Sequence, residues 1–138
     1  MTWRGLHLAL GTAGLFLFIL QGQYMARVLG VPELPDVQRM LYRSAHLYLM
    51  LACAANICAG YFIEPGRYSG FLPRLCSVLL LVSPVLLLVS FFTEVNTATI
   101  DRPLLSIALY LLFAAVALLA SHALWRRFRP VRPCPRAA

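Results

Sequence analysis

Apolar positions along this chain gather into four long runs, separated by short segments that carry most of the prolines, arginines and acids, and this pattern predicts four helices. The first run, Leu6 to Leu20 (LHLALGTAGLFLFIL), is interrupted among polar side chains only by His7 and Thr12, and predicts a helix from about Gly5 to Met25. The second extends from about Ser44 to Ile63 and closes at Glu64-Pro65-Gly66, a turn signal that also stops a helix. The third, from about Leu75 to Phe92, is the most hydrophobic and holds Pro84 near its middle. That proline removes one backbone N–H and should kink the helix, with a neighbouring helix or Ser83 satisfying the carbonyl it frees. The fourth, from about Leu104 to Trp125, follows Asp101-Arg102-Pro103, where proline suits the first turn of a helix. At about 1.5 Å rise per residue, about 20 residues cover the ~30 Å hydrocarbon layer, so each run reads as a transmembrane span. Arg4 ahead of an apolar run also fits a signal peptide. The run ends, however, in Gln21-Gly22-Gln23-Tyr24-Met25 without a small-residue cleavage pattern, and is read as an uncleaved span.

Composition moves the picture from helical to membrane-embedded. Of 138 residues, 61% are apolar and 12% charged, with a mean hydropathy of +0.77, whereas soluble chains are roughly 45–50% apolar and about 25% charged. The predicted fold class is an all-α integral membrane protein, a single membrane domain over residues 1–138 built as an antiparallel four-transmembrane-helix bundle. No segment outside the spans is long enough to fold alone, which excludes a conventional extramembrane enzyme. Pro35 followed by DVQRMLYRSAHLYLM predicts that the second helix begins well before its span.

All 12 basic residues are arginine, against five acids, for a net charge of +7. In a soluble chain that excess would suggest nucleic acid. Here it reads as topology, because arginines collect on the cytoplasmic side. The N-terminus, second loop and tail hold eight arginines and the first and third loops four, so both termini are expected in the cytoplasm. The tail, residues 126–138, is expected to lie on anionic lipid; the predicted partner is the bilayer and not nucleic acid. Arginine to the exclusion of lysine fits a GC-rich genome and a bacterial cytoplasmic (inner) membrane. Cys53, Cys58, Cys76 and Cys134 form no CxxC or paired ladder, so neither a disulfide framework nor a zinc site is indicated.

Each helix carries a stripe of small or polar residues at three- and four-residue spacing, expected to face the bundle interior. These are His7, Gly11, Gly14, Phe18, Gln21 and Met25 in the first, and His46, Cys53, Asn56 and Gly60 in the second. The third offers Cys76, Ser83, Ser90 and Glu94, and the fourth Ser106, Tyr110, Ala114, Ala117 and Ser121. Packing faces of membrane bundles have this character whatever the protein does. No Asp, Glu, Lys or Arg falls in the middle of a span, which argues against proton-coupled transporters and voltage sensors.

Two candidate sites follow. His7 and His122 lie at matched depth on the first and fourth helices, where facing imidazoles could ligate one haem b iron, with Gly11, Gly14, Ala115 and Ala117 leaving room for the macrocycle. The plainer reading is a pair of interfacial histidines beside Trp3 and Trp125. At the opposite ends, Gln21, Tyr24, Arg27, Arg43, His46, Glu94, Ser106 and Tyr110 form a ring suited to a quinone or lipid head group or another subunit. The plainer reading there is that Glu94 pairs with Arg43 or His46 and ties helix ends together. The expected function is a small non-catalytic accessory or assembly subunit of a larger membrane complex, or a self-associating homo-oligomer. The alternative is a b-type haem or quinone-binding redox protein. A third reading, a small-solute carrier or channel, rests on Asn56, Ser83 and Pro84 and lacks a charged group to drive coupling.

Overall fold

The structure, a computed structural model, describes residues 2–62, 70–94 and 101–128, without the side chains of 126 and 127. Four helices account for nearly all of it: α1 (Trp3–Arg27), α2 (Asp36–Phe62), α3 (Phe71–Thr93) and α4 (Pro103–Phe128), with a single 3-10 turn, Val31–Glu33, between α1 and α2. There is no strand among the described residues. Each helix is long and apolar enough to cross a membrane. The Glu64-Pro65-Gly66 turn, Arg67, Cys134 and the tail beyond Phe128 lie outside the described residues.

Helix ends follow local chemistry. Thr2 Oγ1 accepts from the Gly5 N–H at 3.3 Å and opens α1. Gly30 turns the chain after α1 with φ +57°, a conformation that costs other residues a Cβ clash. α2 starts at Asp36, directly after Pro35, and Asp36 pairs with Arg39 one turn on.

Buried positions recur at three-, four- and seven-residue intervals along every helix, in places as adjacent pairs: 7, 11, 14, 21 and 25 in α1; 42, 45, 49, 52/53, 56 and 60 in α2; 73, 76/77, 80, 83/84, 87 and 90/91 in α3; 105, 108, 112 and 115 in α4. This is the spacing of knobs-into-holes packing. The stripes expected to face inward do so in α3, in α1 apart from the half-buried Phe18, and in α2 apart from the half-buried His46. In α4 the expectation is wrong. Ser106, Tyr110, Ala114, Ala117 and Ser121 are all exposed, and the buried seam is Leu105, Ala108, Leu112 and Ala115. Alanine and leucine make up the buried seam and also occur on the exposed side, as Ala114, Ala117, Leu118 and Leu124, so residue type does not mark the core face of this helix.

α1 packs chiefly on α2, α4 chiefly on α3, and α2 joins α3; α1 and α4 make no contact among the described residues. The central pair is therefore α2 and α3, with α1 and α4 on opposite flanks. Glycines set the α1–α2 distance. A Cβ on Gly11 would lie 2.6 Å from Ile57 Cγ1 and 2.9 Å from the Cys53 carbonyl oxygen, and one on Gly14 would collide with Cys53 Sγ. Backbones at this range gain dispersion contacts that a larger residue would prevent.

Candidate functional site

The polar side chains buried in the bundle fall into three groups, and the first begins with a backbone defect. Pro84 lies inside α3 and has no N–H, so the Leu80 carbonyl four residues earlier loses its helical partner. Two side chains replace it: Ser83 Oγ donates to Leu80 O at 3.1 Å, and Asn56 Nδ2 donates to the same oxygen from α2 at 2.8 Å. Asn56 Nδ2 also donates to Ala52 O at 2.9 Å. Carbonyls only accept, so the amide nitrogen must face them and Oδ1 is left to accept. Its donor is His7 Nδ1, at 2.8 Å. This chain fixes the neutral tautomer of His7, with hydrogen on Nδ1 and a lone pair on Nε2. His7 and Asn56 are both fully buried. His7 Nε2 has no hydrogen-bond partner, and neither does Ser77 Oγ, one turn from Leu80 on α3.

An imidazole held through Nδ1–H with Nε2 bare is oriented to bind a metal or an O–H or N–H donor. No cluster of three metal-ligating side chains occurs among the described residues. Nor does the structure assemble the expected His7/His122 pair. His122, half-buried, lies on α4, across the central helices from α1. The room expected beside Gly11 and Gly14 is occupied by Cys53 and Ile57, and Ala117 faces outward. The haem slot between α1 and α4 is corrected on these grounds.

The second group joins α1 to α2 at the other end. His46 Nδ1 donates to Gln21 Oε1 at 3.1 Å, and the His46 ring stacks on Phe18 at 3.9 Å and 11°. Gly22 admits the imidazole: a Cβ there would stand 3.3 Å from His46 Nε2. Gln21 Nε2 is buried without a hydrogen-bond partner. Tyr24 packs near Phe92, with ring centroids 6.3 Å apart. The other members of the predicted ring are not gathered here. Arg43 and Ser106 are exposed, and Tyr110, at 75% exposure, lies on the outer face of α4.

Glu94 belongs to a third group. Its Oε1 accepts from the Leu104 N–H at 2.6 Å, and Oε2 accepts from the Leu105 N–H at 3.0 Å and from Ser90 Oγ at 2.6 Å. A carboxylate at the end of α3 thus caps α4, satisfying N–H groups that have no intrahelical partner and opposing the positive end of the helix dipole. The expected pairing with Arg43 or His46 is replaced by this cap. Burial pushes the Glu94 carboxyl up, but the hydrogen bonds from Ser90, Leu104 and Leu105 and the nearby Arg102 guanidinium outweigh it and hold the group below the usual carboxylate range. Arg102 reaches back to α2, donating from Nη1 to Leu41 O at 3.1 Å and to Ser44 Oγ at 3.5 Å. The ends of α2, α3 and α4 are tied together in this way.

Sequence reasoning missed Arg102 and Ser77. For Arg102 a signal existed: it stands immediately before the proline that begins α4, eight residues after the acid that ends α3. Cys53 and Cys76 are buried free thiols and Cys58 an exposed one. No protein-family model, curated protein or solved structure matches this chain.

Proposed function

We propose that this protein is a small polytopic membrane component, an antiparallel four-helix bundle with both termini in the cytoplasm, that acts by packing against another transmembrane helix rather than by catalysis. The observation that carries this reading is the outer face of α4. Ser106, Tyr110, Ala114, Ala117 and Ser121 stand at three- and four-residue spacing, all exposed, on a helix that has only α3 as a substantial neighbour. Lipid contact favours large side chains, whereas the small members of this stripe, Ser106, Ala114, Ala117 and Ser121, let a second backbone approach, with Tyr110 its one large side chain. The interior supports the same reading, since Asn56, Glu94 and the Nδ1 atoms of His7 and His46 are engaged in bonds that join helices or cap them. A second copy of the chain is the first partner proposed, because one stripe can meet itself across a two-fold axis. A larger membrane complex is the other. In mild detergent the wild type should sediment as an oligomer, and Ala114→Leu with Ala117→Leu should give a monomer of unchanged thermal stability. A monodisperse wild-type monomer without a stoichiometric partner overturns the proposal.

A second reading, a membrane redox protein, draws on one observation: the buried, tautomer-fixed lone pair of His7 Nε2. An optical spectrum of the purified protein, oxidised and then dithionite-reduced, tests the haem version. A Soret band that His7→Ala removes supports it, and a featureless spectrum after haem supplementation rejects it.

A further inference from the structure

At the end of the α1–α2 pair opposite His7, the His46 imidazole is fixed in place with one edge left open. Its Nδ1 donates to Gln21 Oε1 at 3.1 Å, and its face lies on Phe18 with centroids 3.9 Å apart and planes 11° from parallel. Gly22 passes beside the other edge: a Cβ there would stand 3.3 Å from His46 Nε2 and 3.4 Å from Cε1. With hydrogen on Nδ1, the neutral ring keeps a lone pair on Nε2 and can only accept there. Among the described residues, the enclosed polar side-chain atoms without a partner belong to His7, Gln21, Ser77 and Arg102. His46 Nε2 is not one of them, makes no hydrogen bond and belongs to a half-buried residue, so it keeps surface through which a ligand can reach it. Gln21 Nε2, by contrast, is enclosed and out of reach.

Depth limits what can pair with this atom. His46 lies eight residues from Ala54, the middle of the second apolar run, which is about 12 Å at about 1.5 Å per residue. In the membrane placement proposed above, on which this inference rests, that is just inside the edge of a hydrocarbon layer about 30 Å thick. Phospholipids present ester carbonyls near that depth, and carbonyls accept hydrogen bonds without donating them. A bare Nε2 needs the opposite, an O–H carried on an apolar body. We propose that His46 Nε2 accepts a hydrogen bond from a hydroxyl of a lipophilic quinol. The oxidised quinone has carbonyls in place of both hydroxyls and cannot make this bond, so the site separates the two redox states by binding alone. Diacylglycerol offers the same chemistry, a hydroxyl on an apolar body, but its alcohol is a weaker donor than a phenolic O–H.

The test uses the full chain in lipid nanodiscs, with a short-chain quinol, its quinone and a diacylglycerol as probes, read by equilibrium binding and by the imidazole nitrogen NMR signals of His46. The quinol should bind the wild type about fivefold more tightly than the quinone and shift the Nε2 signal, with diacylglycerol between the two. His46→Phe, which keeps a ring to stack on Phe18, should lose that preference, and Thr12→Ala on the exposed face of α1 should keep it. Gly22→Ala, which sets a Cβ against Nε2 and leaves the imidazole present, should lose it too, even if His46→Phe fails to fold. Equal affinities for quinol and quinone, or a tighter quinone, overturn the acceptor role of Nε2. Diacylglycerol that displaces the quinol at equal concentration assigns the hydroxyl to a lipid instead. Binding of none of the three probes, or a preference unchanged in both His46→Phe and Gly22→Ala, overturns the proposal entirely. Extraction of the protein from membranes by alkaline carbonate would instead defeat the membrane placement, and is scored separately.

Discussion

Removing Asn56 and Pro84 singly and together tests whether the amide exists to serve the proline. Asn56→Ala deletes the donor to Leu80 O and the acceptor for His7 Nδ1. The bond to Ala52 O lies within α2 and matters less. An interhelical hydrogen bond in a membrane protein contributes about 0.6–1.7 kcal/mol, and leaving the buried His7 N–H without an acceptor costs about 1–3 kcal/mol. The single variant should therefore lose about 2–4 kcal/mol. In Pro84→Ala the new N–H at position 84 can close the helical bond to Leu80 O, so the amide's donor is no longer needed there. The Asn56→Ala penalty should fall by about 1 kcal/mol in that background. Equilibrium unfolding by sodium dodecyl sulfate in mixed micelles, followed by circular dichroism, measures all four corners. Additivity of the two changes within about 0.5 kcal/mol would refute the reasoning.

Three further outcomes are expected. Glu94→Gln should cost about 1–3 kcal/mol at neutral pH. Because the folded carboxyl lies below its ordinary value of 4.5, its contribution is complete above that value and disappears as pH falls through the depressed one, so unfolding titrations of wild type and variant should converge in acid. Gly11→Ala should destabilise by about 1–3 kcal/mol, since a Cβ 2.9 Å from the Cys53 carbonyl meets backbone, whereas Thr12→Ala on the exposed face should change unfolding by less than about 0.5 kcal/mol. His46→Ala, which removes the Gln21 bond and the Phe18 stack, should cost about 1–2 kcal/mol in the same assay, while Arg43→Ala stays within about 0.5 kcal/mol.

Run length alone made the four helices legible, because a stretch of about 20 apolar residues admits few other structures. The seam of α3 was legible because polar and small residues are scarce there, so nearly every one marks a face; in α1 it was legible from His7, Gly11, Gly14, Gln21 and Met25 at helical spacing, although Ala9, Thr12, Ala13 and Gln23 are exposed. In α4 the polar residues Ser106, Tyr110 and Ser121 point outward, while the buried seam is alanine and leucine, residues that also cover its exposed side. Periodicity had nothing to separate the two faces. The freed Leu80 carbonyl and its Ser83 donor followed from Pro84 by local geometry, and the structure has that bond. The Asn56 donor did not follow, since it depends on the register of α2 against α3. Glu94 was misassigned for a similar reason: its acceptors' partners are backbone N–H groups, which carry no residue type to recognise.

The Asn56–Leu80 bond also joins the two halves of the chain during assembly. Before the halves meet, the α1–α2 pair holds an amide with an N–H to spare, and the α3–α4 pair holds a carbonyl that has lost its backbone partner and is served within its own helix only by the Ser83 hydroxyl. Each half carries a polar group that the other serves, and in the bilayer proposed for this chain oily surfaces give little reason to prefer one neighbour over another. The proline that weakens α3 as an isolated helix thereby becomes an address, directing one half of the molecule to the other at a single register.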